Sequence, residues 1–350
     1  MKAIVQDSYG PANVLELREV DKPGIGDREV LVRVRAAGVN PADWAIMHGL
    51  PYIARPFPLY GLRRPRNAVR GTDVAGVVEA TGTGVTRFRT GDEVFGWGHG
   101  SFADFAAASE DELAPKPRNL AFEQAAAVPT AGLVALQALR DHGQVQPGQK
   151  VLIDGASGGI GTFAVQIAKS LGAEVTGVCS TRNVDLVRSI GADHVIDYTR
   201  EDFARSGLHY DLILDNAGKH SLRDLRRALT PTGMLVPMAG GFDNRWFASA
   251  SRLIRSAVLF RFGSQTLGRF LVSPKHDDLV VLRDLIEAGR VTPVIDRAYP
   301  LSETAKAMDH VGGGRARGGG HARGKIAITV SQASIAGVAS VNAVTAGGTI

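Results

Sequence analysis

The sequence predicts an α/β protein in which a β-rich segment precedes a doubly wound parallel sheet. Glycines and prolines interrupt residues 1–125 at short intervals, which is typical of short strands joined by turns. From residue 150 to residue 240, apolar strands alternate with amphipathic helices, which is the pattern of a parallel sheet covered by helices. A glycine-rich turn joins the first of these strands to the first helix.

Length and composition are those of an ordinary globular chain. The 350 residues are 44% hydrophobic and 21% charged, and they suffice for two domains. No apolar run reaches the ~18 residues that a membrane span needs, and residues 1–5 read as a strand rather than a signal peptide. We therefore expect a cytoplasmic protein with no membrane partner. The single cysteine, Cys179, excludes an internal disulfide and a thiolate-rich metal site.

The formal net charge of +5 raises the question of a nucleic-acid partner. Arginines concentrate at residues 63–70 and 252–269, but the other basic residues are spread along the whole chain. We interpret them as a solvated, arginine-rich surface and do not expect nucleic acid to bind.

Within residues 1–125 the strand pattern is clearest at residues 30–35. Valines there alternate with Leu31, Arg33 and Arg35, as expected of a strand with one buried face and one mostly polar face. Residues 50–70 differ, because they are rich in prolines and aromatic residues. We predict that this segment is a loop that covers a cleft.

The stretch from residue 151 to residue 182 carries the clearest functional signal. An apolar strand leads into a turn at residues 155–161, and the next helix repeats apolar residues at the three-and-four spacing of one buried face. Gly158 would let a pyrophosphate approach the backbone, and Gly161 would let the helix pack closely on the strand. The helix N-terminus supplies free N–H donors. Although Ala156 replaces the usual first glycine, this strand-turn-helix context predicts dinucleotide binding.

The end of the next strand, at Cys179, indicates which dinucleotide binds. An NAD site usually carries an Asp or Glu there, which accepts bonds from the ribose hydroxyls. This chain has Ser180, Thr181 and Arg182 instead, and hydroxyls with a guanidinium suit a 2′-phosphate that a carboxylate would repel. The sequence thus favours NADP(H) over NAD(H). The alternative for Arg182 is a solvated residue that opens the next helix.

The rest of the chain completes the predicted sheet and then adds helices. Further strands are predicted at residues 175–179, 194–196, 212–214 and 234–237. Because ligands bind at the carboxyl ends of parallel strands, Asn216 and Met238 are expected at one rim. Helices are predicted over residues 278–288 and 302–311, followed by a final strand over 326–330.

Several motifs, in order along residues 1–330, resemble the medium-chain dehydrogenase/reductase superfamily and, within it, the zinc-independent quinone oxidoreductase branch. They are Gly71-Thr72-Asp73-Val74-Ala75-Gly76-Val77-Val78, Gly91-Asp92 with Val94-Phe95-Gly96, Val128-Pro129-Thr130-Ala131-Gly132, the glycine turn with Gln166 and Lys169, and the closing runs 289–296 and 320–325. The resemblance implies a GroES-like β-rich catalytic domain over residues 1–124 and 271–330, interrupted by an NADP(H)-binding Rossmann domain over residues 125–270.

The resemblance also implies that the protein works without zinc. Zinc-dependent relatives hold the metal with Cys, His and a further ligand. Here Asn40 matches the ligand Cys and Thr72 matches the ligand His, with only the acid Asp73 beside it. Residues 97–101, directly after Gly96, contain no cysteine, whereas relatives carry a structural zinc lobe there. Without a metal, hydride transfer needs an acceptor that is already electrophilic, so we predict NADPH-dependent reduction of a quinone or an α,β-unsaturated carbonyl.

By the same resemblance, two residues are expected beside the nicotinamide. Asn40 and Thr130 should lie near its ribose and carboxamide, as cofactor-binding and catalytic residues, and each is equally compatible with capping a turn or helix. Asp43 is the nearest candidate acid, with a salt bridge or a turn role as the alternative. The candidate substrate walls, which ordinary packing would also explain, are Tyr52, Trp97 and Phe242.

The remaining assignments concern the cofactor's phosphates. The pyrophosphate is expected at Ser157, Gly158, Gly159 and Ile160. Ser180, Arg182 and Tyr198 would surround the 2′-phosphate, although Tyr198 is as readily explained as an aromatic strand end. Lys325, in the closing run, is also assigned to cofactor binding.

Two segments depart from the pattern of these relatives. Residues 312–318 and 318–324 form a tandem duplication rich in glycine and arginine, which we interpret as a lengthened turn, with RNA contact as the alternative. The tail, residues 331–350, carries no charge and is expected to be disordered or a small packing element.

Other functions stay open at this point. Within the same superfamily they are enoyl-thioester reduction and alcohol oxidation, and outside enzymes they include a non-catalytic NADP(H) sensor or binding module. The resemblance is compatible with a homodimer.

Overall fold

A computed structural model describes residues 1–56, 60–238, 250–261, 263–268, 272–316 and 322–330. The candidate substrate residue Phe242 and the tail, residues 331–350, lie outside the described residues. The same is true of residues 317–321 within the duplicated segment.

The strands and helices follow the order expected from the sequence. The strands are β1 (Lys2–Gln6), β2 (Leu15–Glu19), β3 (Glu29–Val39), β4 (Asp73–Thr81), β5 (Glu93–Trp97), β6 (Phe105–Ser109), β7 (Leu113–Pro115), β8 (Lys150–Asp154), β9 (Glu174–Cys179), β10 (His194–Asp197), β11 (Tyr210–Asp215), β12 (Leu229–Pro237), β13 (Thr266–Leu267), β14 (Ile295–Pro300) and β15 (Lys325–Thr329). The helices are α1 (Pro41–Met47), α2 (Phe122–Ala126), α3 (Pro129–Gln137), α4 (Gly159–Ser170), α5 (Val184–Ser189), α6 (Leu222–Ala228), α7 (Ala250–Leu259), α8 (His276–Glu287) and α9 (Thr304–Ala316).

The first sheet is mainly antiparallel and orders its strands β14-β15-β3-β4-β5-β7, with β6 also paired to β3. A separate hairpin pairs β1 with β2. Late strand β15 pairs with early strand β3, Ile326 lying opposite Val39, so residues far apart in sequence complete one sheet. Val32, Val78 and Phe102 are fully buried in its core. This is the GroES-like domain that the resemblance implied.

The second sheet is entirely parallel and orders its strands β10-β9-β8-β11-β12-β13. Counted from β8 this is the order 3-2-1-4-5-6 of the Rossmann fold, in which the strand order reverses between β8 and β11. The predicted α/β class is therefore confirmed, and ligands are expected outside the carboxyl ends of these two strands. The residue numbers of the domain boundaries stay a prediction.

Helices α2 and α3 connect the two sheets and position the site. Helix α2 packs on β3 and β4, whereas α3 packs on α4 of the Rossmann domain. As a result, the start of α3 meets the start of β4. Helix α8 packs against α3, where Gln137 Nε2 donates to Asp278 Oδ2 at 2.8 Å. Among the described residues, no helix is long and apolar enough to cross a membrane.

Candidate active site

The glycine turn lies at the carboxyl end of β8, in the middle of the Rossmann sheet. A methyl group on Gly161 would stand 2.2 Å from the carbonyl oxygen of Gly155, so only glycine lets α4 come this close to β8. A methyl group on Gly158 would meet only that same oxygen, at 3.5 Å, which leaves its outer face open. The first N–H groups of α4 have no acceptor within the helix, as an anion site requires.

Asn183 joins the glycine turn to the end of β9. Its Nδ2 donates to Ser157 Oγ at 2.9 Å and to Ser180 Oγ at 3.3 Å. Asn183 is only 3% exposed and ends a short 3₁₀ helix, Thr181–Asn183. The structure thus brings the predicted pyrophosphate and 2′-phosphate residues Ser157 and Ser180 onto one polar surface.

Two arginines border that surface, and one of them comes from the other domain. Arg182 is exposed on the 3₁₀ helix after β9, as the sequence indicated. Arg323, just before β15, donates from Nε to Asn183 Oδ1 at 2.7 Å and from Nη2 to the carbonyl of Arg182. The sequence does not indicate a role for Asn183 or Arg323, because no local pattern connects positions 140 residues apart.

Tyr198 and a carboxylate occupy the neighbouring strand end. Tyr198 follows β10, is 47% exposed, and has the ammonium of Lys219 5.5 Å from its ring centroid. Asp197, the last residue of β10, was not considered from the sequence. The Thr181 hydroxyl donates to its Oδ2 at 2.6 Å, and this bond is the main cause that lowers the pKa of Asp197. The Thr181 hydroxyl therefore donates its hydrogen bond to a carboxylate of the protein itself.

Asp73, at the start of β4, is the centre of the second half of the site and is fully buried. Its Oδ1 accepts from the backbone N–H of Thr130 at 3.1 Å and from the Thr130 hydroxyl at 2.5 Å. Its Oδ2 accepts from Asn40 Nδ2 at 2.9 Å. The two residues expected beside the nicotinamide are thus held by one carboxylate, and neither side chain caps its helix.

Lys325, the first residue of β15, connects this cluster to the glycine turn. Its Nζ donates to Asn40 Oδ1, to the Val39 carbonyl at 3.2 Å and to Asp73 Oδ2 at 3.4 Å. Its methylene chain passes Gly159, since a methyl group there would lie 3.0 Å from Lys325 Cδ. The preceding residue, Gly324, donates its N–H to the Ser157 carbonyl at 2.9 Å. Lys325 and Gly324 therefore join the glycine turn to the Asp73 cluster.

Asp43 lies next to this cluster and is 2% exposed. Its Oδ2 accepts the backbone N–H of Asn40 at 2.8 Å, so it stabilises the first turn of α1. Burial raises the pKa of Asp43 to about 6, and the charge of Asp73 adds to the rise, while Arg70 and Lys325 oppose it. Burial lowers the pKa of Arg70, which is 6% exposed. The turn role of Asp43 is visible, and its role as an acid stays a prediction.

Three further predicted site residues, Asn216, Met238 and Ile160, belong to the Rossmann domain. Asn216 follows β11 with its Nδ2 3.4 Å from the position of a methyl group on Gly155. Met238 follows β12, is 7% exposed and donates its N–H to the Asp215 carbonyl at 3.0 Å. Ile160 is half-buried and packs its side chain against the core.

Of the candidate substrate walls, two lie within the described residues. Trp97 ends β5 directly opposite Asp73, and its buried indole N–H has no hydrogen-bond partner among the described residues. Tyr52 lies in a short 3₁₀ helix after α1, with the guanidinium of Arg55 4.5 Å from its ring centroid. Trp97 is thus the candidate next to the Asp73 cluster.

The side chains at this place do not fit zinc. Asn40 already engages Lys325 and Asp73, and Cys and His ligands are absent from the cluster. In the described ranges, no three His, Cys, Asp or Glu side chains form a group that could hold a metal ion. No step of the chemistry is therefore assigned to a metal.

Comparisons with known proteins agree with both sheets. The alcohol dehydrogenase GroES-like domain family matches residues 26–118, and the zinc-binding dehydrogenase family matches residues 190–328. The chloroplast envelope quinone oxidoreductase homolog of Arabidopsis thaliana is 34% identical, over 94% of this chain and 98% of that protein. The mitochondrial NAD(P)H oxidoreductase RTN4IP1 of Bos taurus is also 34% identical, over 94% and 89%. The solved quinone oxidoreductase from Coxiella burnetii superposes with a TM-score of 0.81 at 30% identity, covering 95% of this chain and 99% of that one.

Proposed function

The chain belongs to the medium-chain dehydrogenase/reductase superfamily, in its quinone oxidoreductase-like branch, and from this premise we propose its reaction. It is an NADPH-dependent oxidoreductase that transfers a hydride to a quinone or an α,β-unsaturated carbonyl without zinc. The observation that carries the proposal is that Gly324 and Lys325 join the glycine turn to the Asp73 cluster.

The choice of NADPH is supported by the charges at the end of β9. A 2′-phosphate would find two guanidinium groups there, Arg182 and Arg323, together with the Ser180 hydroxyl. Asp197, the carboxylate that ends the neighbouring strand β10, accepts bonds from Thr181 and Thr199 and is 7% exposed. Because its oxygens already accept these hydroxyl bonds, Asp197 is not expected to bind the ribose hydroxyls as the acid of an NAD site does.

The bound cofactor supplies the hydride, and the protein supplies position and electrostatics. Asp73 fixes Thr130 and Asn40, so their remaining lone pairs are held in place to orient a carboxamide or ribose. Trp97 lies opposite Asp73 on the neighbouring strand, and the face of an indole ring suits a flat, conjugated acceptor. A quinone or enone spreads the incoming charge itself, so no Lewis acid is required.

Several assignments accompany this proposal as predictions. The pyrophosphate contacts of Ser157, Gly158, Gly159 and Ile160 are among them, as are those of Tyr198, Asn216 and Met238 with the cofactor. We also retain a small quinone or enone as the partner, a homodimer as the assembly and the cytoplasm as the compartment. The relatives named above are assigned to a chloroplast envelope and to mitochondria.

The test is an activity panel on the purified full chain. NADPH and NADH oxidation would be followed at 340 nm with simple quinones, with enones and with aldehydes, and alcohol oxidation would be followed with NADP⁺. We expect quinone or enone reduction with NADPH preferred. Inactivity with every quinone and enone, together with alcohol oxidation only after zinc is added, would overturn the proposal.

A further inference from the structure

Lys325 is a buried cation whose donors are all used inside the protein. It is 4% exposed, and its ammonium has three N–H groups. These reach three oxygens: the Val39 carbonyl at 3.2 Å, Asp73 Oδ2 at 3.4 Å, and Asn40 Oδ1. No donor is left over for a cofactor or a substrate.

The three oxygens around this ammonium form a set that a hard metal cation would also accept. One belongs to the fully buried carboxylate of Asp73 and another to the side chain of Asn40, which is 3% exposed. We propose that Lys325 is a positioning residue whose ammonium takes the organising place of a metal ion, fixing Asn40 and Asp73 and, through Asp73, Thr130. The proposal rests on the proposed function for its kinetic consequences only.

The charge of Lys325 is needed because Asp73 is enclosed. Without the ammonium, Asp73 would keep three hydrogen bonds, from Asn40 Nδ2 and from the N–H and hydroxyl of Thr130, but no cation in contact. A second buried carboxylate, Asp43, lies close enough to repel it. A buried charge that loses its partner takes up water or rearranges, and either response would move Asn40 and Thr130.

Three variants separate this role from simple packing. Lys325→Met keeps the methylene chain next to Gly159 but removes the charge. Lys325→Met combined with Asp73→Asn removes both charges and leaves hydrogen-bonding groups at position 73. Lys306→Met, on a lysine that is 68% exposed and pairs with Glu303, is the matched control.

The readouts are kcat and KM with NADPH and a quinone, NADPH binding by fluorescence, and denaturant unfolding. We expect Lys325→Met to lower kcat about 100-fold, as for a misplacement of about 1 Å at a reacting centre. KM for NADPH should change less than kcat. Adding Asp73→Asn should recover roughly tenfold in kcat and return NADPH affinity and the unfolding midpoint toward wild type.

The contrary results are equally concrete. The proposal is overturned if Lys325→Met retains kcat within about threefold of wild type. It is also overturned if the double variant recovers neither kcat, NADPH affinity nor the unfolding midpoint relative to Lys325→Met. In either case Lys325 contributes packing and not charge. Should the wild-type chain reduce no quinone or enone, the proposed function fails, yet NADPH binding and unfolding of the same variants still decide the role of Lys325.

Discussion

Nε of Arg323 donates to Oδ1 of Asn183 at 2.7 Å, and this bond joins the last strand of the GroES-like domain to the nucleotide side of the Rossmann domain. Asn183 in turn donates to Ser157 and Ser180, so the guanidinium is fixed beside the serines at which we place the cofactor phosphates. A cation from one domain is thereby held beside the predicted cofactor-binding surface of the other.

The first prediction concerns cofactor selectivity. Arg323→Met should raise KM for NADPH by about tenfold or more, since a hydrogen bond to a charged group contributes about 1.5–3 kcal/mol. KM for NADH, which has no 2′-phosphate, should change little. Steady-state kinetics with both cofactors measure this. Arg205→Met is the control, because the Arg205 side chain is 83% exposed and pairs with Asp202. An equal loss with NADH would contradict the assignment.

The second prediction separates the two functions of the glycine turn. Gly161→Ala should lower the free energy of unfolding by about 2 kcal/mol, because the new methyl group would overlap the Gly155 carbonyl and cannot be relieved by a flexible side chain. Gly158→Ala should leave stability nearly unchanged, since its φ of −83° suits alanine and the space is open. Gly158→Ala should instead weaken NADPH binding, because the added methyl group would lie where the pyrophosphate is expected to approach the backbone.

Thermal unfolding and NADPH titration of both variants check this pair. Each serves as the control for the other, because both add one methyl group to the same turn. If Gly158→Ala binds NADPH as wild type does, the pyrophosphate does not approach the backbone at that position.

The sequence predicted local features well because their physical causes are local. The glycine spacing at residues 155–161, the helix period of α4 and the strand ending at Cys179 each follow from neighbouring residues, and the structure has all three. Helices α8 and α9 begin within two residues of their predicted starts. The resemblance added Asn40 and Thr130, which the structure places on one carboxylate.

The features of the site that the sequence did not predict depend on contacts between residues far apart in the chain. Asp73 meets Asn40, Thr130 and Lys325 across separations of 33, 57 and 252 positions, and no periodicity encodes such meetings. The contact of Asp197 with Thr181 could not be predicted from the sequence for a related reason. It belongs to the strand beside β9, and only the parallel register, with Asp197 opposite Cys179, brings it to Thr181.

The third prediction concerns metal removal. Dialysis against EDTA or 1,10-phenanthroline should leave kcat unchanged, and added zinc should not raise it, because Lys325 occupies the oxygens of Asn40 and Asp73. A zinc-dependent alcohol dehydrogenase treated in parallel is the positive control. Loss of activity on chelation with recovery on zinc would show that a metal site exists elsewhere in the chain.

The last prediction follows from the buried carboxyl of Asp43. Its pKa rises from 3.8 to about 6 on folding, chiefly through burial, so the folded state holds the proton more tightly than the unfolded state. Stability should therefore fall as the pH rises from about 4 to about 6 and then level off. At 1.36 kcal/mol for each pKa unit, the whole effect is about 3 kcal/mol.

Asp43→Asn removes this titration while its side-chain oxygen can still accept the Asn40 N–H. The free energy of unfolding of Asp43→Asn minus that of wild type should thus grow by about 2–3 kcal/mol between pH 4 and pH 7.5. Urea unfolding of both proteins at the two pH values measures this difference. Asp185→Asn, at a fully exposed carboxylate, should show no such growth. A difference that stays constant for Asp43→Asn would mean that Asp43 ionises normally in the folded protein, and its candidacy as an acid poised near neutral pH would end.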